Sequence, residues 1–175
     1  MTRALMLVDV QRNMLEPPTP VPAAASIREA LADLLLRARG AGALVVHVQN
    51  DGPPGEPGEP GTDGWQLVFP VSVGELIVRK DQPDTFAANP ALVKDLAAQE
   101  TTEVVIAGMQ SSFCVAESSR GALKRGLQAI LASGAHATYD ENEPASAISA
   151  QIERELATEG ITVLPFRKVS FEEAS

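Results

Sequence analysis

The chain has 175 residues, 45% of them hydrophobic and 21% charged, with a formal net charge of −9. That size and balance predict one folded domain over residues 1–175 rather than a disordered chain. The acidity argues against nucleic acid as a partner, since phosphate binding needs a concentrated basic face and Arg79-Lys80 and Lys124-Arg125 are too short to make one.

No apolar run approaches the roughly 20 residues of a membrane helix, so no membrane role is expected. The first apolar run ends at Asp9 with no small-residue cleavage site after it, which reads as a strand rather than a signal peptide. The single cysteine, Cys114, forms no internal disulfide, which fits a reducing cytoplasm.

Strands and helices alternate along the chain. Ala4–Val10 is a short β run. Pro22–Arg39 carries Ile27, Leu31, Leu34 and Leu35 at helical spacing, with Gly40 placed to end the helix. Ala43–Gln49 is a second strand. Residues 51–64, DGPPGEPGEPGTDG, hold too much proline and glycine for a helix or central strand and form a long loop. Its plainer reading is a flexible surface excursion; a substrate lid is the alternative.

Leu76–Lys80 is a third strand, and Asn89-Pro90 opens a helix through about Gln99. Glu103–Gly108 is a fourth strand, followed by a helix over Cys114–Arg125. Leu127–Ser133 is a fifth strand. Asn142 and Pro144 open a last helix to about Glu159, and Ile161–Phe166 is a sixth strand. Strands apolar on both faces, separated by helices, predict a three-layer α/β/α sandwich with a Rossmann-like, six-stranded, mostly parallel sheet.

Ligands of such sheets bind beyond the carboxyl ends of the strands. The candidates there are Asp9, Gln11, Gln49, Lys80 and the turn 108–114. A thiol becomes a strong nucleophile when it loses its proton. A helix amino terminus at Cys114 and the ammonium of Lys80 would favour the thiolate, and Asp9 is placed to take the proton. Alone, Cys114 would more often be an inert core residue. Together with Asp9 and Lys80 it reads as a nucleophile.

LMLVDVQRNM, VRK followed by DQPDTF, and GMQSSFCVAESSRGALKRG together resemble the isochorismatase-like cysteine hydrolase superfamily over nearly the whole chain. The resemblance implies a catalytic triad of Cys114, Asp9 and Lys80. It also implies a non-proline cis peptide at Met109–Gln110 and an oxyanion hole from the backbone amides of Gln110 and Cys114. The reaction it implies is cleavage of a C–N amide bond of a small molecule through a thioester. A homodimer or larger homo-oligomer is implied as well.

Two departures narrow the reading. Nicotinamidases of the superfamily carry a metal-binding Asp and several His after the second strand; this chain has only His47 and His136, so no metal and no cofactor are expected. The fifth strand passes into GAHATYD, which looks like the subgroup that includes streptothricin hydrolases, enzymes that open a lactam. Ser111 stands at a turn position usually held by threonine and keeps the hydroxyl.

Trp65, Phe86 and Phe113 flank the expected pocket, with core packing as the equal alternative. Gln11 is a candidate substrate contact, with capping as its plainer role. His47 reads as a satisfied core residue, and His136 as a loop residue after the fifth strand. Isochorismatase-type vinyl ether hydrolysis remains as an alternative function. It protonates the substrate from the aspartate and needs no cysteine.

Overall fold

The computed structural model describes residues 2–172. Six strands form one sheet in the order β3-β2-β1-β4-β5-β6, and every neighbouring pair is parallel. They are β1 (Thr2–Val8), β2 (Val45–Asn50), β3 (Leu76–Lys80), β4 (Thr101–Met109), β5 (Gln128–Ala137) and β6 (Thr162–Pro165). The order reverses between β1 and β4, where a ligand crevice is expected in a doubly wound sheet.

Each central strand is apolar throughout because both of its faces are covered. Side chains alternate across the sheet. Leu5, Leu7, Val105 and Ala107 pack on one face with helix α2 (Ala24–Gly40), through Ile27, Leu31 and Leu34. Ala4, Met6, Val8, Val104 and Ile106 pack on the other. That second face is covered by α4 (Leu92–Ala98), α5 (Ala116–Lys124) and α6 (Ala145–Thr158), through residues such as Leu92, Leu96, Ala116, Ala122, Ile152 and Leu156. Two short helices, α1 (Arg12–Leu15) and α3 (Thr85–Ala88), complete the set. The sequence patterns missed both, since four residues carry no readable periodicity.

Several boundaries differ from expectation for local reasons. β1 stops at Val8 rather than Val10, because Asp9 takes a left-handed backbone with φ of 50°. β5 does not end at Ser133 but continues to Ala137. Between Ile106 and Gly108 of β4 its register jumps from Leu131 to His136, so three extra residues of β5 buckle out, with Gly134 at φ 82°. His136 therefore sits inside β5, paired beside Gly108, and not in a loop.

His47 is 2% exposed, and its Nε2 lies 2.8 Å from Glu75 Oε2, the satisfied core histidine expected. Burial lowers its pKa against the pull of Glu75. Burial pushes Glu75 the other way, yet its bonds to Arg39, the Ser72 amide and His47 hold its carboxyl at about 2.

The 51–64 loop is tied to itself and to the sheet. The Gly52 amide donates to Gly58 O (2.9 Å), and Thr62 Oγ donates to the Glu59 carbonyl at 2.7 Å. A Cβ on Gly64 would run into the Pro57 carbonyl, so only glycine lets the chain close there. Among the described residues, no helix is long and apolar enough to cross a membrane.

Candidate active site

The carboxyl ends of β1, β2 and β3 bring three side chains together. Asp9 follows the last residue of β1, Asn50 ends β2, and Lys80, paired in register with Asn50, ends β3. Cys114 arrives from the far side, after β4. Gly108 makes that approach possible: its φ is 121°, and a Cβ there would collide with the Val8 carbonyl. With no side chain, β4 closes against β1 one residue before Asp9.

Lys80 is the hub. Its Nζ lies 3.1 Å from Asp9 Oδ2, 2.9 Å from Asn50 Oδ1 and 3.1 Å from Cys114 Sγ. Asp9 and Lys80 are 1% and 3% exposed. Asn50 was missed in the sequence, where a single asparagine at a strand end has no signature. Its register beside Lys80 is the structural signal.

Asp9 Oδ1 is buried and has no hydrogen-bond partner among the described residues. A buried carboxylate oxygen left open beside a thiol is an acceptor waiting for a proton. Burial raises the Asp9 pKa above the ordinary carboxylate value, and Lys80 and Cys114 oppose that rise.

The thiol itself departs from expectation. Burial first, then the Asp9 charge, push Cys114 up to about 12, against the pull of Lys80. Both influences oppose the thiolate that a helix amino terminus and Lys80 would favour. Cys114 does not open α5; it lies within a π-helical turn, Ser111–Val115, that runs directly into α5 at Ala116. π-type turns of this kind are frequent at functional sites.

The Met109–Gln110 peptide is cis. The Gln110 carbonyl accepts the amides of Phe113 (3.2 Å) and Val115 (3.1 Å), which wraps the turn around the Cys114 amide. Of the expected pocket residues, Phe113 is 49% exposed, next to Cys114 in the chain. Phe86 is not a pocket wall. It is fully buried in the core with Leu92 and Val115, on the helix α3 that Asp84 caps.

Gln11 is not free for substrate either, as both ends of its amide are taken. Its Oε1 accepts the Asn50 amide (2.9 Å), and its Nε2 donates to the carbonyls of Asn50 (3.0 Å) and Trp65 (2.9 Å). Gln49 Nε2 donates to the same Trp65 carbonyl at 3.0 Å. Trp65 in turn donates its indole N–H to Asp51 (2.9 Å) and carries the Arg79 guanidinium 5.0 Å over its ring. Arg79 also pairs with Asp51 at 2.9 Å, so Asp51 is neutralised from within the protein and is not the free acidic group that a cationic substrate would meet. Among the described residues, no group of three or more His, Cys, Asp or Glu side chains could hold a metal ion.

The isochorismatase domain model matches residues 3–158. The chain belongs to the isochorismatase family. It is 46% identical over 140 residues to a streptothricin hydrolase of Streptomyces noursei, which covers 79% of this chain but 55% of that protein. A second streptothricin hydrolase of that organism is 45% identical over 79% of this chain and 50% of its own length. The chain thus spans about half the length of the curated relatives it matches. Among solved structures it resembles an isochorismatase of Pseudomonas putida KT2440, with a TM-score of 0.87 at 23% identity over 96% of this chain and 90% of that one. It also resembles an N-carbamoylsarcosine amidase of Thermoplasma acidophilum, with a TM-score of 0.83 at 21% identity over 97% and 99%. These two likenesses establish the fold. Placement in the isochorismatase family agrees with the three motifs read in the sequence, and the similarity to streptothricin hydrolases agrees with GAHATYD.

Proposed function

We propose that this isochorismatase-family chain is a metal-independent cysteine hydrolase that cleaves a C–N amide or lactam bond of a small molecule. The observation that carries the reading is the Lys80 ammonium, 3.1 Å from both Asp9 Oδ2 and Cys114 Sγ, with Asp9 Oδ1 left open. The similarity to streptothricin hydrolases supports a lactam as one substrate class.

The chemistry follows from the charges. As Cys114 Sγ attacks the amide carbon, its proton passes to Asp9, whose raised pKa makes it a stronger base than an ordinary carboxylate. The C=O π electrons move to oxygen, and the amides of Gln110 and Cys114 stabilise that oxyanion, each donor contributing roughly 3 kcal/mol. The oxyanion collapses, the C–N bond breaks, and Asp9 returns the proton to the departing nitrogen. A thioester remains. Water then attacks it, giving a proton to Asp9; the C–S bond breaks to release the acid, and Asp9 passes the proton to sulfur to restore the thiol. Lys80 holds Asp9 in place and stabilises negative charge as it builds on sulfur. No cofactor takes part.

A screen for amine or ammonia release across small amides, ureido compounds and lactams, with Cys114→Ala as the blank, is expected to find turnover only with the thiol present. The competing vinyl ether hydrolysis would protonate substrate from Asp9, whose raised pKa also suits an acid. Retained activity in Cys114→Ala would decide for it and sink the thioester route.

The proposal extends to a homodimer or larger assembly. Val73 and Ile77 are exposed on and beside the edge strand β3, where they offer an apolar face. Sedimentation velocity is expected to show at least twice the 18.4 kDa chain mass, and a monomer at micromolar concentration would overturn it.

A further inference from the structure

The turn that carries Cys114 is held from behind by polar side chains the reaction scheme does not use. Ser111, its first residue, is fully buried. Ser111 Oγ lies 2.7 Å from His136 Nδ1 and 2.9 Å from Ser149 Oγ. His136 is 4% exposed, and its Nε2 lies 2.9 Å from Glu153 Oε1. Thr138, two residues further along the chain, donates its hydroxyl to Gln110 Oε1 at 3.2 Å. β5 thus supplies His136, and α6 supplies Ser149 and Glu153 on one face, four residues apart.

Hydrogen-bond direction in this chain is determined from its outer end. The bond from His136 holds the Glu153 carboxyl below the usual carboxylate range, so Glu153 is an acceptor. His136 Nε2 then carries the hydrogen, and in the neutral ring Nδ1 is the lone-pair nitrogen. Ser111 must donate to Nδ1, which leaves its oxygen to accept from Ser149. With its hydrogen given to His136 and its oxygen accepting from Ser149, the Ser111 side chain is fixed in a single orientation.

We propose that His136 is a positioning residue for the hydrolytic site. Through Nδ1 it anchors Ser111, and through Ser111 it sets the peptide planes at Gln110 and Cys114 that face the reacting oxygen. Glu153 selects the tautomer that makes this possible. The inference rests on the cysteine-hydrolase reading above and adds a requirement to it. The oxyanion donors are aimed by a side chain from β5, not by the turn alone.

Two substitutions at one position separate the two ends of the imidazole. Asparagine places an amide atom where Nδ1 sits and does not reach Glu153; glutamine places one where Nε2 sits and does not reach Ser111. His136→Gln and Ser111→Ala are expected to lower kcat about 10- to 100-fold with KM unchanged, while His136→Asn retains most of kcat. Hydrogen exchange at the amides of 109–115 is expected to quicken in His136→Gln and Ser111→Ala and to stay near wild type in His136→Asn. Equal kcat losses in His136→Asn and His136→Gln that track a common loss of Tm would overturn the proposal. So would unchanged exchange of 109–115 in His136→Gln. The exchange comparison needs no substrate. Failure of the hydrolase reading therefore shows as no turnover in the wild type, and failure of the anchoring shows as no difference between the two substitutions.

Discussion

Asp9→Asn is expected to lower kcat by about 10²- to 10⁴-fold while making Cys114 easier to alkylate. The substitution keeps the shape of the side chain and removes the proton acceptor. Asparagine cannot take a proton from sulfur or return one to a leaving nitrogen, so both halves of the reaction lose their base. The thiol responds in the opposite sense. Its pKa stands near 12 through burial and the Asp9 charge, with Lys80 pulling it down. Without the carboxylate the second upward push disappears, and burial alone is left to oppose the Lys80 charge. Iodoacetamide labelling at pH 8 should then run several-fold faster than in the wild type, since reactivity follows the thiolate fraction. A variant that keeps its kcat would show that Asp9 is not the base, and one whose cysteine labels more slowly would show that the Asp9 charge is not what holds the thiol pKa up. Cys114→Ala cannot make this distinction, because it removes both readouts together.

Lys80→Met is expected to carry the largest stability loss, and the loss should depend on pH. Removing one partner of a buried ion pair costs about 3–5 kcal/mol when the other stays charged. Asp9 does have an escape, which is protonation. Its folded pKa is already raised by burial, with Lys80 as the largest opposing influence, so losing Lys80 raises it further. A carboxyl whose folded pKa exceeds its unfolded value near 3.9 binds more protons folded than unfolded in the interval between the two. Stability is therefore full below about pH 4 and falls as pH rises toward the folded pKa, by at most about 1.4 kcal/mol per pH unit. Thermal melts of variant and wild type from pH 4 to 8 should diverge with rising pH. A deficit of the same size at every pH would mean that Lys80 acts through packing alone.

Much of this site was readable before any coordinates. Parallel strands leave their chemistry at carboxyl ends, so Asp9 and Lys80 could be placed from the apolar runs that precede them. Cys114 could be placed from the strand at 104–106. What stayed hidden depended on backbone conformation and on partners distant in sequence. The π-helical turn has no composition of its own, so Cys114 read as the start of a helix whose amino terminus favours the thiolate. The buckle in β5 looked like a strand end at Gly134, which put His136 in a loop. Gln11 reads equally as ligand contact or clamp until the backbone of Asn50 and Trp65 is seen to occupy both ends of its amide. Phe86 could not be assigned to core or pocket without knowing that α3 turns it inward.

The Trp65 carbonyl receives the side-chain amides of both Gln11 and Gln49. Those two glutamines stand at the ends of β1 and β2, so the far end of the 51–64 excursion is pinned beside the same strands that deliver Asp9 and Asn50. The excursion is thereby fastened at both ends to the scaffold of the site, since the Asp51 amide also donates to the Lys80 carbonyl at 2.7 Å. Loosening the Trp65 end would release the ends of β1 and β2 together.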